Sequence, residues 1–261
     1  MGPIDHLIFL VLVLVLPIRA AANFRKMARA PDADVPRVRL RAYRLIIVGQ
    51  WVLALGVIAL WIALRRPWAA IGLAPRAAGG LTASVVVLAA AWAGLTFRQL
   101  AIKTNAAVRA RALRQFEKFE RILPHSQHEL RWFAAVAITA GVCEELLYRG
   151  FLFCYLRTAL DLGPAIAVGA LVFGLAHFYQ GSRGILLTGL VGAVMFGLYM
   201  FSGSLFVPMA VHALVDFYAG WAARAVFQGT PAAAGAATVG AAAPAGEIVP
   251  TAAPQRPAPI E

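Results

Sequence analysis

Seven apolar runs alternate with polar, mostly basic segments along the chain. They cover about residues 4–20, 44–64, 80–97, 132–156, 163–179, 184–202 and 205–227. A helix across a hydrocarbon core needs about 20 apolar residues. Helices are also the open-ended structures that satisfy their backbone polar groups without water. Each run is long enough, or nearly so. The first and fifth are short and fit tilted or partly interfacial helices. The pattern predicts an all-α polytopic membrane protein with about seven transmembrane helices.

Two stretches break the pattern. Residues 101–130, AIKTNAAVRARALRQFEKFERILPHSQHEL, mix charge with apolar residues at helical spacing: Ala107, Leu113, Phe116, Phe119, Ile122 and Leu123. This spacing fits an amphipathic helix lying on the membrane face, or a plain connector. Glu117 and Arg121 stand at i,i+4 and support a helix in either case. From Gly229 onward Ala, Pro and Gly dominate and aromatic residues are absent. Such a tail cannot bury enough large side chains to order itself. It is expected to be disordered over 229–261 and to carry no chemistry.

Composition agrees with membrane residence. The chain is 61% hydrophobic and 14% charged, against about half and about a quarter in soluble domains. Net charge is +12, from 24 Lys and Arg against 12 Asp and Glu. The basic residues lie between the apolar runs, which argues for basic cytoplasmic loops rather than nucleic-acid binding. Arg25, Lys26, Arg29, Arg37, Arg39 and Arg41 separate runs one and two. Arg98, Lys103, Arg109, Arg111, Arg114, Lys118 and Arg121 separate runs three and four. The loop 65–79 holds only Arg65, Arg66 and Arg76. Both richer loops are therefore assigned to the cytoplasm, with the N-terminus outside, the C-terminus inside and the plasma (inner) membrane as the site. The first run lacks a preceding basic residue and is followed by Arg19 and Arg25, an order that fits an uncleaved anchor. Cys143 and Cys154 fall eleven residues apart on one expected helix, too far to bond to each other.

Ionisable groups at bilayer depth are costly, at roughly 3 kcal/mol each on insertion scales, and face a protein interior or a water-filled cavity. Run four contains CEELLYRGF, with Glu144, Glu145 and Arg149. On a helix Glu145 and Arg149 are i,i+4 and can pair. Glu144 is rotated about 100° from Glu145 and has no partner on its own helix, which makes it a candidate general base. His177 ends run five. His212 and Asp216 of run seven are i,i+4, so the carboxylate can orient the ring, or both can bind one metal. Each feature alone also fits a structural role. Together they call for one polar cavity enclosed by runs four, five and seven.

The ordered set resembles the CPBP intramembrane proteases, a family that includes CAAX-prenyl endopeptidases and the bacterial Abi or bacteriocin-processing proteins. EELLYRGF resembles their EExxxR motif, FGLAH their FxxxH motif, and GSLFVPMAVHALVDF their last motif, which ends in HxxxN or HxxxD. RRPWAAIGL at 65–73 resembles a weaker upstream segment. The likeness covers about 65–227 and is strongest over 140–220. It divides the chain into N-terminal spans with a basic loop (1–64), a protease-like core (65–228) and the tail (229–261).

The resemblance implies a metalloendopeptidase-type or glutamate-dependent hydrolase acting on peptide bonds inside the membrane. Glu144, His177 and His212 match the catalytic positions, with Glu145, Arg149 and Asp216 supporting. Asp216 stands where the CAAX proteases have asparagine. An ionised carboxylate cannot donate to an oxyanion, so Asp216 orients His212, is protonated, or binds metal. The favoured mechanism needs no cofactor. The alternative is Zn²⁺ or another divalent metal on Glu144, His177, His212 and Asp216, although no HExxH spacing is present. Expected partners are membrane lipid and a peptide or protein substrate, lipidated or not, with no nucleic acid. Two other readings are a non-catalytic peptide-binding, immunity or assembly factor on the same scaffold, and a proton-relay transporter. The second would show an internal repeat with broken helices, which is not seen.

Overall fold

A computed structural model describes residues 1–74 and 79–228. The tail 229–261 and Arg76 lie outside the described residues. The described residues form helices and short turns, with no strand. The helices are α1 (Pro3–Ala28), α2 (Asp32–Ala63), α3 (Gly79–Thr104), α4 (Ala106–Phe116), α5 (127–156), α6 (Leu162–Ala176), α7 (Ser182–Ser202) and α8 (Phe206–Gln228).

Five helices are long and apolar enough to cross a membrane: α1, α2, the Ser84–Thr104 part of α3, α7 and α8. The expected count of seven is not reproduced. The helix of run four is longer than expected, but its apolar stretch is interrupted by Glu144, Glu145 and Arg149. That of run five spans 15 residues, or about 22 Å, short of a hydrocarbon core of about 30 Å. The first helix, expected to be short, continues to Ala28. It contains a π-helical turn at Val11–Val15 immediately before Pro17. A proline ring clashes with the carbonyl four residues back, and a widened turn relieves the clash without ending the helix.

The segment 101–130 is not one amphipathic helix. Asn105 leaves helical geometry, and its side chain accepts hydrogen bonds from the amides of Ala107 and Val108, which starts α4. The apolar side of α4 packs with Ile102 against Ala222 and Val226 near the end of α8. After the turn Glu117–Phe119 the chain is non-helical until Ser126 caps α5. The Glu117–Arg121 pair does not form. Arg121 instead donates to Ala30 O (2.6 Å) and Asp32 Oδ1 (2.5 Å).

Two helix pairs approach closely at glycine. A Cβ on Gly141 of α5 would lie 2.7 Å from both Met209 O and Ala213 N of α8. One on Gly174 of α6 would lie 2.5 Å from Ile185 O of α7. Small residues at helix crossings are how membrane helices gain contact where no hydrophobic drive separates them from lipid. The other faces of α2, α3 and α7 remain apolar and exposed, through Val48, Val52, Val86, Phe97, Leu186, Val194 and Phe201. These surfaces fit an integral membrane protein.

Buried ion pairs fix α2 at each end. At its start Arg39, 3% exposed, donates to Glu129 Oε1 (2.8 Å), Arg121 O (2.9 Å) and Glu120 O (3.2 Å). Tyr43 donates to Ile122 O. Glu129 also closes the α5 cap, accepting from the amides of His125 (2.8 Å) and Ser126 (3.0 Å). Beyond its other end Arg66 makes a bidentate pair with Asp5, both contacts at 2.7 Å, and stacks on Trp61. The first pair joins the two basic loops, so they share one end of the bundle. Lys118 reaches Gln180 O at that same end (2.5 Å). At the opposite end the turn Trp68–Ile71 buries Ile71 beneath α5, and Leu205 N donates to Gly72 O (3.0 Å).

Burial pushes the Glu129 carboxyl up, but the His125 and Ser126 amides and the Arg39 guanidinium outweigh it and hold it below its ordinary 4.5. A depressed carboxyl stabilises the fold above about pH 4.5, and that stability is lost as pH falls through the folded value. Glu129→Gln should cost about 3 kcal/mol at neutral pH, as when one partner of a buried pair is removed. Thermal melts in detergent should show the gap between wild type and variant closing below pH 4.5. A gap independent of pH would contradict this account.

Candidate active site

The sequence EELLYRGFL does not continue α5 as an α-helix. Residues Glu145–Leu152 are π-helical, flanked by α-helix on both sides. This wider turn was not legible in the apolar pattern. It keeps Glu145 and Arg149 on one side, where both are fully buried. Arg149 Nη1 donates to Glu145 Oε1 (3.0 Å) and Nη2 to Gly192 O of α7 (3.2 Å). Its guanidinium lies over Phe173 at 4.1 Å and Phe196 at 5.3 Å from the ring centroids. Two aromatic faces and a carboxylate thus offset part of the cost of burying the cation.

Glu145 forms the expected pair with Arg149 and makes a further contact. Its Oε1 also faces His212 Nδ1 at 2.8 Å. A carboxylate paired with Arg149 only accepts, so Nδ1 carries the proton. His212 Nε2 is then the nitrogen beside Asp216, at 3.6 Å from Oδ2. The imidazole therefore sits between two carboxylates, one fully buried and one with a side chain 39% exposed.

Glu144 points elsewhere, as its rotation from Glu145 requires. Its hydrogen-bond partner comes from α2: Gln50 Nε2 donates to Glu144 Oε1 at 2.7 Å. Glu144 is half-buried, unlike its neighbour. It lies within electrostatic range of His212 and of Tyr179, in the turn after α6. Tyr179 lies within the same range of Asp216.

His177 stands where α6 ends. Its Nδ1 contacts Phe173 O at 3.0 Å. A carbonyl only accepts, so here too Nδ1 carries the proton, and Nε2 is the free nitrogen. The Phe173 ring lies 5.0 Å from the His177 ring and 6.3 Å from the His212 ring. One aromatic residue thus separates both histidines and Arg149. Glu144, His177, His212 and Asp216 are all half-buried, whereas Glu145 and Arg149 are closed off. The accessible groups and the supporting groups form two layers.

Gln50 was missed in the sequence. Gln50 had a signal: it is an amide inside an apolar run, costly at bilayer depth unless it is bonded. Phe173 opens the FGLAH stretch that carries the FxxxH resemblance, but its contacts with both histidines and Arg149 show only in the structure. Among the described residues no three His, Cys, Asp or Glu side chains stand together as a metal-binding group.

Residues 126–218 match the family model described as Rce1-like, Type II CAAX prenyl endopeptidase Rce1-like. The matched segment contains the six candidate residues and excludes Gln50. No curated protein and no solved structure matches the chain.

Removing Arg149 while keeping Glu145 leaves a buried carboxylate short of its cation. Arg149→Met should destabilise the protein by about 3–5 kcal/mol. Adding Glu145→Gln to that variant should restore part of the loss. Thermal unfolding in detergent tests both. A double variant less stable than Arg149→Met alone would mean that Glu145 is held mainly by His212.

Proposed function

We propose that this chain is an intramembrane endopeptidase. It hydrolyses a peptide bond where Glu144, His177, His212 and Asp216 border the helix bundle. The observation that carries this reading is the matched anchoring of the two histidines. Each Nδ1 is tied to a fixed acceptor, Phe173 O or Glu145 Oε1, which leaves each Nε2 for reacting groups.

Glu144 takes a proton from a water molecule held with His177 Nε2 as acceptor. The water oxygen bonds to the carbonyl carbon, and the charge moves onto the carbonyl oxygen. His212 acts as the imidazolium, with Nδ1–H on Glu145 Oε1 and Nε2–H donating to that oxyanion. Asp216, beside the same nitrogen, favours the charged ring, and Glu145 orients it from the Nδ1 side. When the C–N bond breaks, the proton held by Glu144 passes to the leaving amine. Glu145 and Arg149 keep His212 in register from below. No step in this sequence passes through a metal ion.

The substrate class is a membrane-associated peptide, either a CAAX-type C-terminus or a peptide precursor. The match to a CAAX prenyl endopeptidase family supports the first. The basic loops gathered at one end of the bundle support a cytoplasmic face at that end. The protein would then reside in the plasma membrane, with its N-terminus outside.

Glu144→Gln keeps the shape of the side chain and removes the base. Cleavage of a lipidated CAAX peptide or of membrane-extracted peptides by purified protein in proteoliposomes should fall about 100-fold or more, with an unchanged melting temperature. Undiminished cleavage by Glu144→Gln would sink the proposal.

A further inference from the structure

Gln50 occupies a position that stability alone would fill with an aliphatic residue. It lies in α2, one of the helices apolar enough to cross the membrane. Its neighbours Val48 and Val52 are exposed in the manner of lipid-facing residues. Only half of its hydrogen-bonding capacity is used well. Nε2 donates to Glu144 Oε1 at 2.7 Å, while Oε1 is buried with no hydrogen-bond partner. Facing a carboxylate, the amide must present its NH₂, so the reverse assignment would set two acceptors against each other. A buried amide oxygen without a partner is destabilising. The bond to Glu144 is thus gained at the expense of the other end of the same group.

The adjacent residue does the purely structural task. Trp51 Nε1 donates to Thr139 Oγ1 of α5 at 3.2 Å, which joins α2 to α5 one turn away from Glu144. Val57 and Trp61 of α2 are buried in the main core with Leu147 and Phe151 of α5. Helix association therefore does not require Gln50.

We infer that Gln50 is a positioning residue for the Glu144 carboxylate. It holds Oε1 of that carboxylate and directs the other oxygen toward the water to be deprotonated. This rests on the endopeptidase reading above, in which Glu144 is the base. It adds that the base is held from outside the segment 126–218 that matches the family model. The N-terminal spans are therefore part of the catalytic apparatus rather than an anchor for it.

The variants are Gln50→Leu, Gln50→Asn, Trp51→Phe and Glu144→Gln in the full chain, reconstituted in liposomes and assayed on the peptide that the wild type cleaves. Gln50→Leu should lower kcat roughly ten- to hundredfold, with KM within about twofold, because positioning acts on the reacting geometry. Its melting temperature should stay at or above that of wild type. Gln50→Asn keeps the NH₂ on a shorter stem and should recover part of kcat. Trp51→Phe should lower the melting temperature and leave kcat intact. In the Glu144→Gln background, Gln50→Leu should change the residual rate by less than about twofold, since the group it positions is gone. A full-rate Gln50→Leu, or a kcat loss equal to that of Trp51→Phe, would overturn the inference and leave the endopeptidase reading in place. Full activity in Glu144→Gln would instead remove the endopeptidase reading itself.

Discussion

The site depends on one oxygen atom. Glu145 Oε1 accepts from Arg149 of its own helix and from His212 of α8, and Arg149 in turn grips the backbone of α7 at Gly192. Three helices thus meet at a single buried carboxylate. Hydrocarbon cannot solvate a charge, so removing any one partner leaves the others exposed to the full cost of burial. This makes the arrangement cooperative. The π-helical turn supports it by widening α5 where the Glu145 and Arg149 side chains must turn inward together. Glu145 and Arg149 are closed off, while Glu144, His177, His212 and Asp216 keep part of their surface exposed.

Much of the fold was legible because the bilayer imposes strict rules on sequence. Runs two, three, six and seven each became a long helix near the expected place. The fourth showed its character through the three charges within six residues, and the structure keeps those charges inside the protein. Five helices are long and apolar enough to cross a membrane, and the fifth run became the 15-residue α6, below that length. The amphipathic reading of 101–130 failed at Asn105, where a side chain competes with the backbone for its own hydrogen bonds. The Glu117–Arg121 pair failed because Asp32 and Ala30, distant in sequence, offered Arg121 better partners.

The candidate site was legible in its membership more than in its wiring. The i,i+4 rule found Glu145 with Arg149 and His212 with Asp216, since both pairs lie within one helix. It could not find Glu145 with His212 or Gln50 with Glu144, which cross between helices. Those contacts decide the roles. They give the supporting Glu145 a second partner in His212, and they give Glu144 a neighbour from outside the protease-like segment. Arg39 and Arg66 likewise read as loop charges in the sequence, yet each is a partner in a buried or nearly buried pair.

The pairs at the two ends of α2 have a mechanical consequence. Here Arg39 is bound to the α5 cap at one end, and Arg66, just past the other end, is bound to Asp5 of α1. The rod between them is stopped in both directions. Gln50 lies between the two stops, so its height relative to Glu144 is set by distant ion pairs. α2 is thus a post tied near both ends, and it carries the amide that holds the Glu144 carboxylate.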